Sequence, residues 1–166
     1  SIAQIVANSK TFHELVELGI QESAFGDPIS REAKRFKIRG ILRACLRQKS
    51  VGIIEEIPEK RLVKYAKPVG VIGCVIPATN PDLTPAGNAI YAIKARNAII
   101  FSPHPRAKNS TNTAAKLVLD AAIAVGAPKD IIGWIDQPTV ELSNALMKHN
   151  DINLILATGG PAMVKA

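Results

Sequence analysis

The chain has 166 residues, of which 47% are hydrophobic and 21% charged, a composition typical of one folded globular domain. No apolar run reaches the roughly 18 residues of a membrane-spanning helix, and no basic segment precedes an apolar core at the N-terminus. The sequence therefore favours neither a membrane protein nor a secreted one. We expect a cytoplasmic protein with no membrane partner.

The net charge of +7 is concentrated toward the N-terminus, where residues 1–67 hold 13 basic and 8 acidic side chains. Four arginines recur at every fourth position and would form one stripe on a helix: Arg35, Arg39, Arg43 and Arg47. Such a stripe is typical of a solvated face, and a nucleic-acid-binding face is the alternative. Aromatic residues make up only 4% of the chain, which gives little support to base stacking, so we expect no nucleic-acid partner.

Two helices are expected before residue 50, over residues 11–25 and 28–48. The first shows a capping-box pattern, with Thr11 followed three residues later by Glu14. The second begins with Asp27 before a proline, which suits an N-cap followed by the first helical position. Its apolar residues recur with helical spacing and predict the packed face: Ile38, Ile41, Leu42, Cys45 and Leu46.

Residues 52–57 and 61–66 predict a β-hairpin or edge pair around Pro58. From residue 68 onward, strands and helices alternate with short turns between them. This alternation predicts a parallel sheet with right-handed crossovers and helices on both faces. The expected strands are 69–76, 97–102, 131–135 and 152–157, and the expected helices are 83–95, 107–125 and 138–148.

The sequence thus predicts an α/β fold, a Rossmann-like parallel sheet over residues 68–166, preceded by N-terminal helices (1–50) and a hairpin (51–67). A further helix should begin at Pro161, and the chain stops about one turn into it. A helix cut in its first turn leaves amides and apolar surface without partners, so we expect a longer polypeptide to continue beyond Ala166.

Three predicted strands end in segments that suit ligand binding: residues 77–80 (PATN), 102–105 (SPHP) and 158–160 (TGG). The carboxyl edge of a parallel sheet is where α/β proteins bind ligands. No GxGxxG follows the first strand, which argues against the common dinucleotide fingerprint. Gly159 and Gly160 suit either a pyrophosphate or a tight turn.

Asn80 is the one strongly polar amide after the first strand, and its N–H is suited to stabilise a developing oxyanion. Because it precedes a proline, an Asx-type turn is the alternative, and residue type alone favours the turn. His104, between two prolines, suits either a ribose contact or a loop cap. The other histidines have no partners at ligand spacing, and Trp134 suits a core position, so none of these receives a catalytic role.

Four segments resemble the CoA-acylating branch of the aldehyde dehydrogenase superfamily, including the aldehyde dehydrogenase half of bifunctional aldehyde-alcohol dehydrogenases. They are PVGVIGCVIPATNP, KARNAIIFSPHPRAKNST, GAPKDIIGWIDQP and LILATGGPAMVKA. The match is close over residues 64–166 and looser before them. The resemblance implies that a short-chain aldehyde, NAD and coenzyme A interconvert with acyl-CoA and NADH through a cysteine thioester.

The resemblance also implies the role of each site residue. Asn80 would hold the oxyanion, as the catalytic contribution of this segment. The implied cofactor-binding residues are Ile76, Pro77, Ala78 and Thr79 beside the nicotinamide, Ser102 and His104 near the adenine ribose, and Thr158, Gly159, Gly160 and Met163 near the pyrophosphate and nicotinamide. Hydrolytic relatives carry a lysine and a glutamate in the loop that reads SPHP here, and this difference favours the acylating branch.

The nucleophilic cysteine of the family is expected beyond Ala166. Cys45 and Cys74 fall in apolar helix and strand patterns, which suit buried structural thiols rather than a nucleophile, a disulfide or a metal site. We therefore expect no bound metal and no aldehyde oxidation by these 166 residues alone.

The resemblance further implies that residues 52–66 form an oligomerisation hairpin, so a homo-oligomer is expected. Within the cytoplasm, the resemblance also allows a place in a bacterial microcompartment or an enzyme filament. Two other functions stay open at this point. One is a glutamyl-phosphate-reductase-like oxidoreductase, which the SPHP and ATGGP segments suit less well. The other is a nucleic-acid-binding module that uses the arginine stripe. The identity of the aldehyde and the choice between NAD and NADP also stay open.

Overall fold

The computed structural model describes residues 2–6 and 8–160, so the expected helix from Pro161 and the predicted site residue Met163 lie outside the described residues. The helices are α1 Ile2–Val6, α2 Ser9–Ser23, α3 Pro28–Ala33, α4 Arg35–Arg47, α5 Leu83–Lys94, α6 Lys108–Ile123 and α7 Val140–Lys148. The strands are β1 Gly52–Ile57, β2 Leu62–Ala66, β3 Val71–Val75, β4 Ala98–Ser102, β5 Ile132–Trp134 and β6 Leu154–Ala157.

The strands β3 to β6 form a parallel sheet in the order β5-β4-β3-β6. In this register Cys74 of β3 lies between Phe101 of β4 and Leu156 of β6. Helices α5 and α6 carry the chain from β3 to β4 and from β4 to β5, and α7 then carries it back to β6 on the other side of β3. Right-handed crossovers in opposite directions place α7 on the opposite face from α5 and α6. The expected α/β architecture is confirmed.

The two faces of β3 pack differently. Cys74 is fully buried on the face covered by α5, where its Sγ accepts a hydrogen bond from Asn88 Nδ2 at 3.2 Å. Gly73 lies on the opposite face, where a Cβ atom would come within 3.2 Å of Ile152 and Ile155 and 3.5 Å of Leu146 in α7. Glycine at this position therefore lets α7 and the segment before β6 approach the sheet closely.

The main core lies between the sheet and the N-terminal helices. It joins buried residues of α2, α4, α5, β4 and α6, among them Phe12, Ile38, Ala89, Phe101 and Val118. Alanines predominate where α5 and α6 meet this core, and their small side chains let the helices pack tightly. None of the helices in the described part of the chain is long and apolar enough to cross a bilayer.

The number and the starts of the N-terminal helices differ from the sequence prediction, which expected two helices where the structure has α1 to α4. Helix α2 begins at Ser9, because the side chain of Asn8 accepts hydrogen bonds from the backbone N–H groups of Lys10 and Thr11. Asn is as good an N-cap as Thr, so the predicted Thr11 cap is wrong. The predicted helix 28–48 is divided into α3 and α4 by a tighter turn at Lys34, whose N–H donates to the carbonyl of Arg31 at 3.0 Å.

The predicted faces of α4 are largely confirmed. Asp27 caps α3 through a 2.7 Å hydrogen bond from Ser30 N. Ile38 and Cys45 are buried, but the side chain of Leu46 is 71% exposed, so its predicted burial is wrong. At 100° per residue, Leu46 lies about 80° from Ile38, at the edge of the apolar stripe. The arginines after Arg35 on α4 are exposed.

Helix α6 receives its N-terminal cap from another helix. Ala107, the residue before α6, has no side chain that accepts a hydrogen bond from the N–H groups of the helix. Instead the carboxylate of Glu22, near the end of α2, accepts hydrogen bonds from the backbone N–H groups of Asn109 and Ser110, each at 2.8 Å. The carboxylate satisfies two free helical N–H groups and complements the positive end of the helix dipole.

Replacing Glu22 with alanine is expected to lower the free energy of unfolding by about 1–2 kcal/mol, the usual cost of a lost helix cap. Urea denaturation of this chain measures the change. Glu14→Ala, at an exposed position on the same helix, is the control and should change stability by less than about 0.5 kcal/mol. Equal effects of the two substitutions would show that the cap contributes nothing specific.

Candidate functional site

A cavity of about 750 Å³ lies at the carboxyl edge of the sheet. Residues 75–79 after β3, residues 103–105 after β4 and residues 158–160 after β6 form three of its sides. One face of α7 and its N-cap form the fourth side, with Thr139, Val140, Ser143, Asn144 and Met147. The cavity adjoins the point between β3 and β6 where the strand order reverses, which is the usual ligand position in open α/β sheets.

The structure brings most of the predicted cofactor-binding residues to this one cavity: Ile76, Pro77, Ala78, Thr79, His104, Thr158, Gly159 and Gly160. Ser102 is fully buried beside it, and its Oγ lies 2.7 Å from the Oγ of Ser143 in α7. Ser102 therefore holds the start of α7 against the end of β4 and does not line the cavity.

Helix α7 was predicted over residues 138–148, but none of its residues was predicted to belong to the site. The chain carried only a weak signal for them, a proline at position 138 followed by Thr139. Thr139 is the N-cap of α7, and its Oγ1 accepts a 3.1 Å hydrogen bond from Leu142 N. The strand order, which places α7 beside the end of β6, decides that this helix faces the cavity.

His104 has a defined hydrogen-bonding state. Its Nδ1 accepts a 3.1 Å hydrogen bond from Arg106 N and so caps the short 3-10 helix Pro105–Ala107. An acceptor nitrogen carries no proton, so in the neutral ring the proton is on Nε2. His104 thus caps its loop and also lines the cavity, and the two sequence interpretations are compatible.

Within the described residues, nothing restricts the space beside Gly160. A Cβ atom at this position would meet no described atom within 4 Å, and the backbone φ lies outside the left-handed range. Thr158, two residues earlier, is fixed by a 3.3 Å hydrogen bond from its N–H to the carbonyl of Val75. The turn thus begins at a fixed position, and no described atom fills the space beside Gly160.

Asn80 lines a second, smaller cavity of about 260 Å³ between α4 and α5. Its Oδ1 accepts a 2.6 Å hydrogen bond from Lys34 Nζ, and its carbonyl accepts one from Thr84 N at 3.2 Å. The side-chain oxygen therefore binds a lysine rather than a nearby backbone N–H, so the residue does not form the Asx turn that its type alone favoured.

Arg31 fixes the loop that carries Asn80. Its guanidinium, 2% exposed, donates to the carbonyls of Phe25 and Thr79 at 3.2 and 3.4 Å and to Asp82 Oδ1 at 3.3 Å. Asp82, 3% exposed, also accepts a 2.8 Å hydrogen bond from Leu83 N at the start of α5. This buried ion pair joins α3 to the loop after β3.

Two glycines leave room for the Arg31 side chain. A Cβ atom at Gly26 would lie 2.6 Å from Arg31 Cδ, and the φ of +95° at this residue also favours glycine. A Cβ atom at Gly19 would lie 3.2 Å from one guanidinium nitrogen. The sequence analysis missed Arg31, because Thr79 and its charged partner Asp82 are about 50 residues away in the chain and leave no local pattern.

Neither cysteine has the properties of a nucleophile. Burial raises the pKa of Cys74 to about 11, so the thiol stays protonated at neutral pH. Burial also raises the pKa of Cys45, and neither side chain lines the cavity at the sheet edge. Among the described residues, no group of three or more His, Cys, Asp and Glu side chains is placed to hold a metal ion.

Comparison with known proteins identifies the family. The aldehyde dehydrogenase family matches residues 16–166. The chain belongs to this family. It is 52% identical over 153 residues to the bifunctional aldehyde-alcohol dehydrogenase AdhE of Escherichia coli (strain K12), covering 92% of this chain and 17% of that protein. The family predicted from the four sequence segments is thereby confirmed.

Solved structures give the same result. An acetylating aldehyde dehydrogenase from Geobacillus thermoglucosidasius matches 99% of this chain and 37% of its own, with a TM-score of 0.91 and 41% identity. A Rhodopseudomonas palustris propionaldehyde dehydrogenase with bound propionyl-CoA matches 99% of this chain and 36% of its own, with a TM-score of 0.80 and 27% identity. The chain thus spans between about a sixth and two fifths of these relatives.

Breaking the Arg31–Asp82 pair from either side is expected to be severely destabilising. Arg31→Met or Asp82→Asn should lower the free energy of unfolding by about 3–5 kcal/mol, because each leaves the other buried group without its charged partner. Urea denaturation measures the loss. The matched control is Lys116→Met, which removes the exposed ion pair with Asp120 and should cost less than about 1 kcal/mol. A small effect at Arg31 would refute its structural role.

Proposed function

We propose that this chain forms the nucleotide-binding part of a CoA-acylating aldehyde dehydrogenase, with the nucleotide-binding core in residues 68–166. The enzyme would interconvert a short-chain aldehyde, coenzyme A and NAD with acyl-CoA and NADH. The observation that carries the proposal is the cavity at the carboxyl edge, where the strand ends meet in a chain of this family. The relatives support this function rather than a glutamyl-phosphate-reductase-like or nucleic-acid-binding one.

The larger cavity fits a dinucleotide in chemistry as well as in position. Its walls combine apolar side chains such as Ile76 and Met147 with a few polar groups, a combination typical of cofactor sites. No described atom fills the space beside Gly160, so a ligand can approach the backbone N–H groups of this turn closely. Bound NAD would supply the hydride acceptor, and residues 76–79, His104 and 158–160 would hold it in place.

The lining favours NAD over NADP. Proteins that bind the extra phosphate of NADP generally place a basic side chain against it. The described residues that line the cavity include no lysine or arginine. Arg106, the nearest in sequence to His104, is engaged elsewhere, because its guanidinium donates to Ser23 O at 3.4 Å and lies 5.3 Å from the centre of the Phe25 ring.

Asn80 is proposed as the oxyanion donor of the whole enzyme. Its Nδ2 has no hydrogen-bond partner among the described residues, whereas its Oδ1 is bound by Lys34. The free N–H can therefore donate to the aldehyde oxygen as negative charge develops there. The amide cannot titrate, so it remains a donor at every working pH.

The aldehyde is proposed to be a short one, because the names of the solved relatives include acetylating and propionaldehyde dehydrogenases. The acyl acceptor is proposed to be coenzyme A, because one of these structures contains propionyl-CoA. We place the reaction in the cytoplasm, where NAD and coenzyme A are available.

The function is tested by measuring NADH formation from acetaldehyde, coenzyme A and NAD with the full-length protein. Asn80→Ala is expected to lower kcat by about 10²- to 10³-fold, the usual effect of removing an oxyanion donor, with little change in NAD affinity. Asn150→Ala, at an exposed position far along the chain, is the control and should keep full activity. No acylating activity in the unsubstituted enzyme would refute the function, and an unchanged rate in Asn80→Ala would refute the role of Asn80.

We also propose that the β1–β2 hairpin joins copies of this protein into a homo-oligomer. The two antiparallel strands form a separate sheet. Large apolar side chains on the hairpin are between 38% and 60% exposed: Ile53, Ile54, Leu62, Val63 and Tyr65. An isolated two-stranded ribbon is at best marginally stable, and exposed apolar patches of this kind mark interaction sites.

Val63→Glu combined with Tyr65→Glu, two positions on the same face of β2, is expected to dissociate the oligomer, because two carboxylates would be buried at the contact without partners. Light scattering after size-exclusion chromatography of the full-length protein measures the mass. Lys60→Glu, an exposed change in the same hairpin, should leave the mass unchanged. If the double variant keeps the original mass, the hairpin is not the contact.

A further inference from the structure

We propose that Lys34 is a positioning residue for catalysis, which orients the side-chain amide of Asn80 and strengthens its N–H as a donor. This inference rests on the proposed function of Asn80. The geometric basis is the 2.6 Å hydrogen bond from Lys34 Nζ to Asn80 Oδ1, between residues 46 positions apart in the chain. The contact joins the N-terminal helices to the proposed catalytic amide.

The chemistry of lysine fixes the orientation of the amide. The two ends of an asparagine side chain have nearly the same shape, so the surrounding hydrogen bonds decide which end is which. A lysine ammonium has three donors and no acceptor. The atom of Asn80 that faces Lys34 must therefore be the oxygen, and the opposite end of the amide must present N–H.

Lys34 is itself held in place. It lies at the tight turn between α3 and α4, where its N–H donates to Arg31 O at 3.0 Å and its carbonyl accepts from Lys37 N at 2.8 Å. Its side chain is half-buried, and within the described part of the chain no carboxylate lies within ion-pair distance of its ammonium. The ammonium is therefore not diverted from Asn80 by a stronger partner.

A cation at the oxygen end also changes the electronic properties of the amide. It draws electron density toward the carbonyl and makes the N–H more acidic, so that hydrogen bonds in a chain strengthen one another. The positive charge also remains behind the amide as the aldehyde oxygen becomes negative. Both effects are larger for the charged state that forms during the reaction than for the neutral aldehyde, so they act on kcat rather than on KM.

Initial rates of the full-length enzyme with acetaldehyde, coenzyme A and NAD test the inference. Lys34→Met is expected to lower kcat about tenfold with less than a twofold change in KM for NAD. Lys34→Arg, which keeps a charged donor, should recover most of the lost activity. Lys49→Met, at an exposed position after α4, is the control and should match the unsubstituted enzyme.

A double-mutant cycle separates positioning from a structural role. If Lys34 acts through Asn80, adding Lys34→Met to Asn80→Ala lowers kcat no further than Asn80→Ala alone. The same tenfold loss in both backgrounds would show that Lys34 acts independently and would overturn the inference. Unchanged kcat in Lys34→Met, with a large loss in Asn80→Ala, would overturn it and leave the proposed function intact.

Folding is followed for each variant by thermal unfolding. If Lys34→Met does not fold, Lys34→Gln takes its place in the cycle, because it is uncharged but keeps polar character at the junction. It is expected to lower kcat at least threefold, and an unchanged kcat would overturn the inference. A failure of the proposed role of Asn80 is recognised separately, since Asn80→Ala would then keep its activity. A failure of the proposed enzyme function would leave the unsubstituted enzyme without acylating activity.

Discussion

The buried guanidinium of Arg31 is the group on which the arrangement around Asn80 depends. A guanidinium that is almost fully removed from water is tolerated only where acceptors bind it, and here the acceptors for its two terminal nitrogens come from Phe25, Thr79 and Asp82. One side chain therefore dictates how the N-terminal helices, the loop after β3 and the start of α5 meet. Gly19 and Gly26 are required because the side chain passes close to both.

Arg31 and Lys34 lie three residues apart and hold successive parts of the same loop. Arg31 binds at Thr79 and Asp82, and Lys34 binds between them at Asn80. A catalytic donor is effective when it is already in position before charge develops, so that no reorganisation accompanies the reaction. The N-terminal helices therefore contribute to the proposed active site through the rigidity that they give to this loop, although none of their residues lines the larger cavity.

Much of the sheet could be predicted from the sequence, because β-branched runs such as that of β3 are bounded by prolines and glycines that end them within a residue or two. The cavity edge was also predictable, since parallel strands bring their carboxyl ends together. The contacts of Arg31 with Thr79 and Asp82, the position of Ser102 behind α7 and the bond from Lys34 to Asn80 were not predictable, because each joins residues between 41 and 51 positions apart that no local period relates. The predictions for Leu46 and Thr11 were wrong for local reasons. Leu46 lies at the edge of the apolar stripe of α4, and Asn8, close to Thr11, caps α2 in its place.

The helix starts after β3 and β4 have a consequence for where a phosphate can bind. In many nucleotide-binding folds the free N–H groups of such a helix receive the pyrophosphate. Here a carboxylate of the chain already occupies each place, Asp82 at α5 and Glu22 at α6. A phosphate at either helix start would have to compete with a carboxylate that is already bound to backbone N–H. The protein thus supplies its own anion at the two positions where a glycine-rich fingerprint would operate, and it directs a ligand's negative charge away from them.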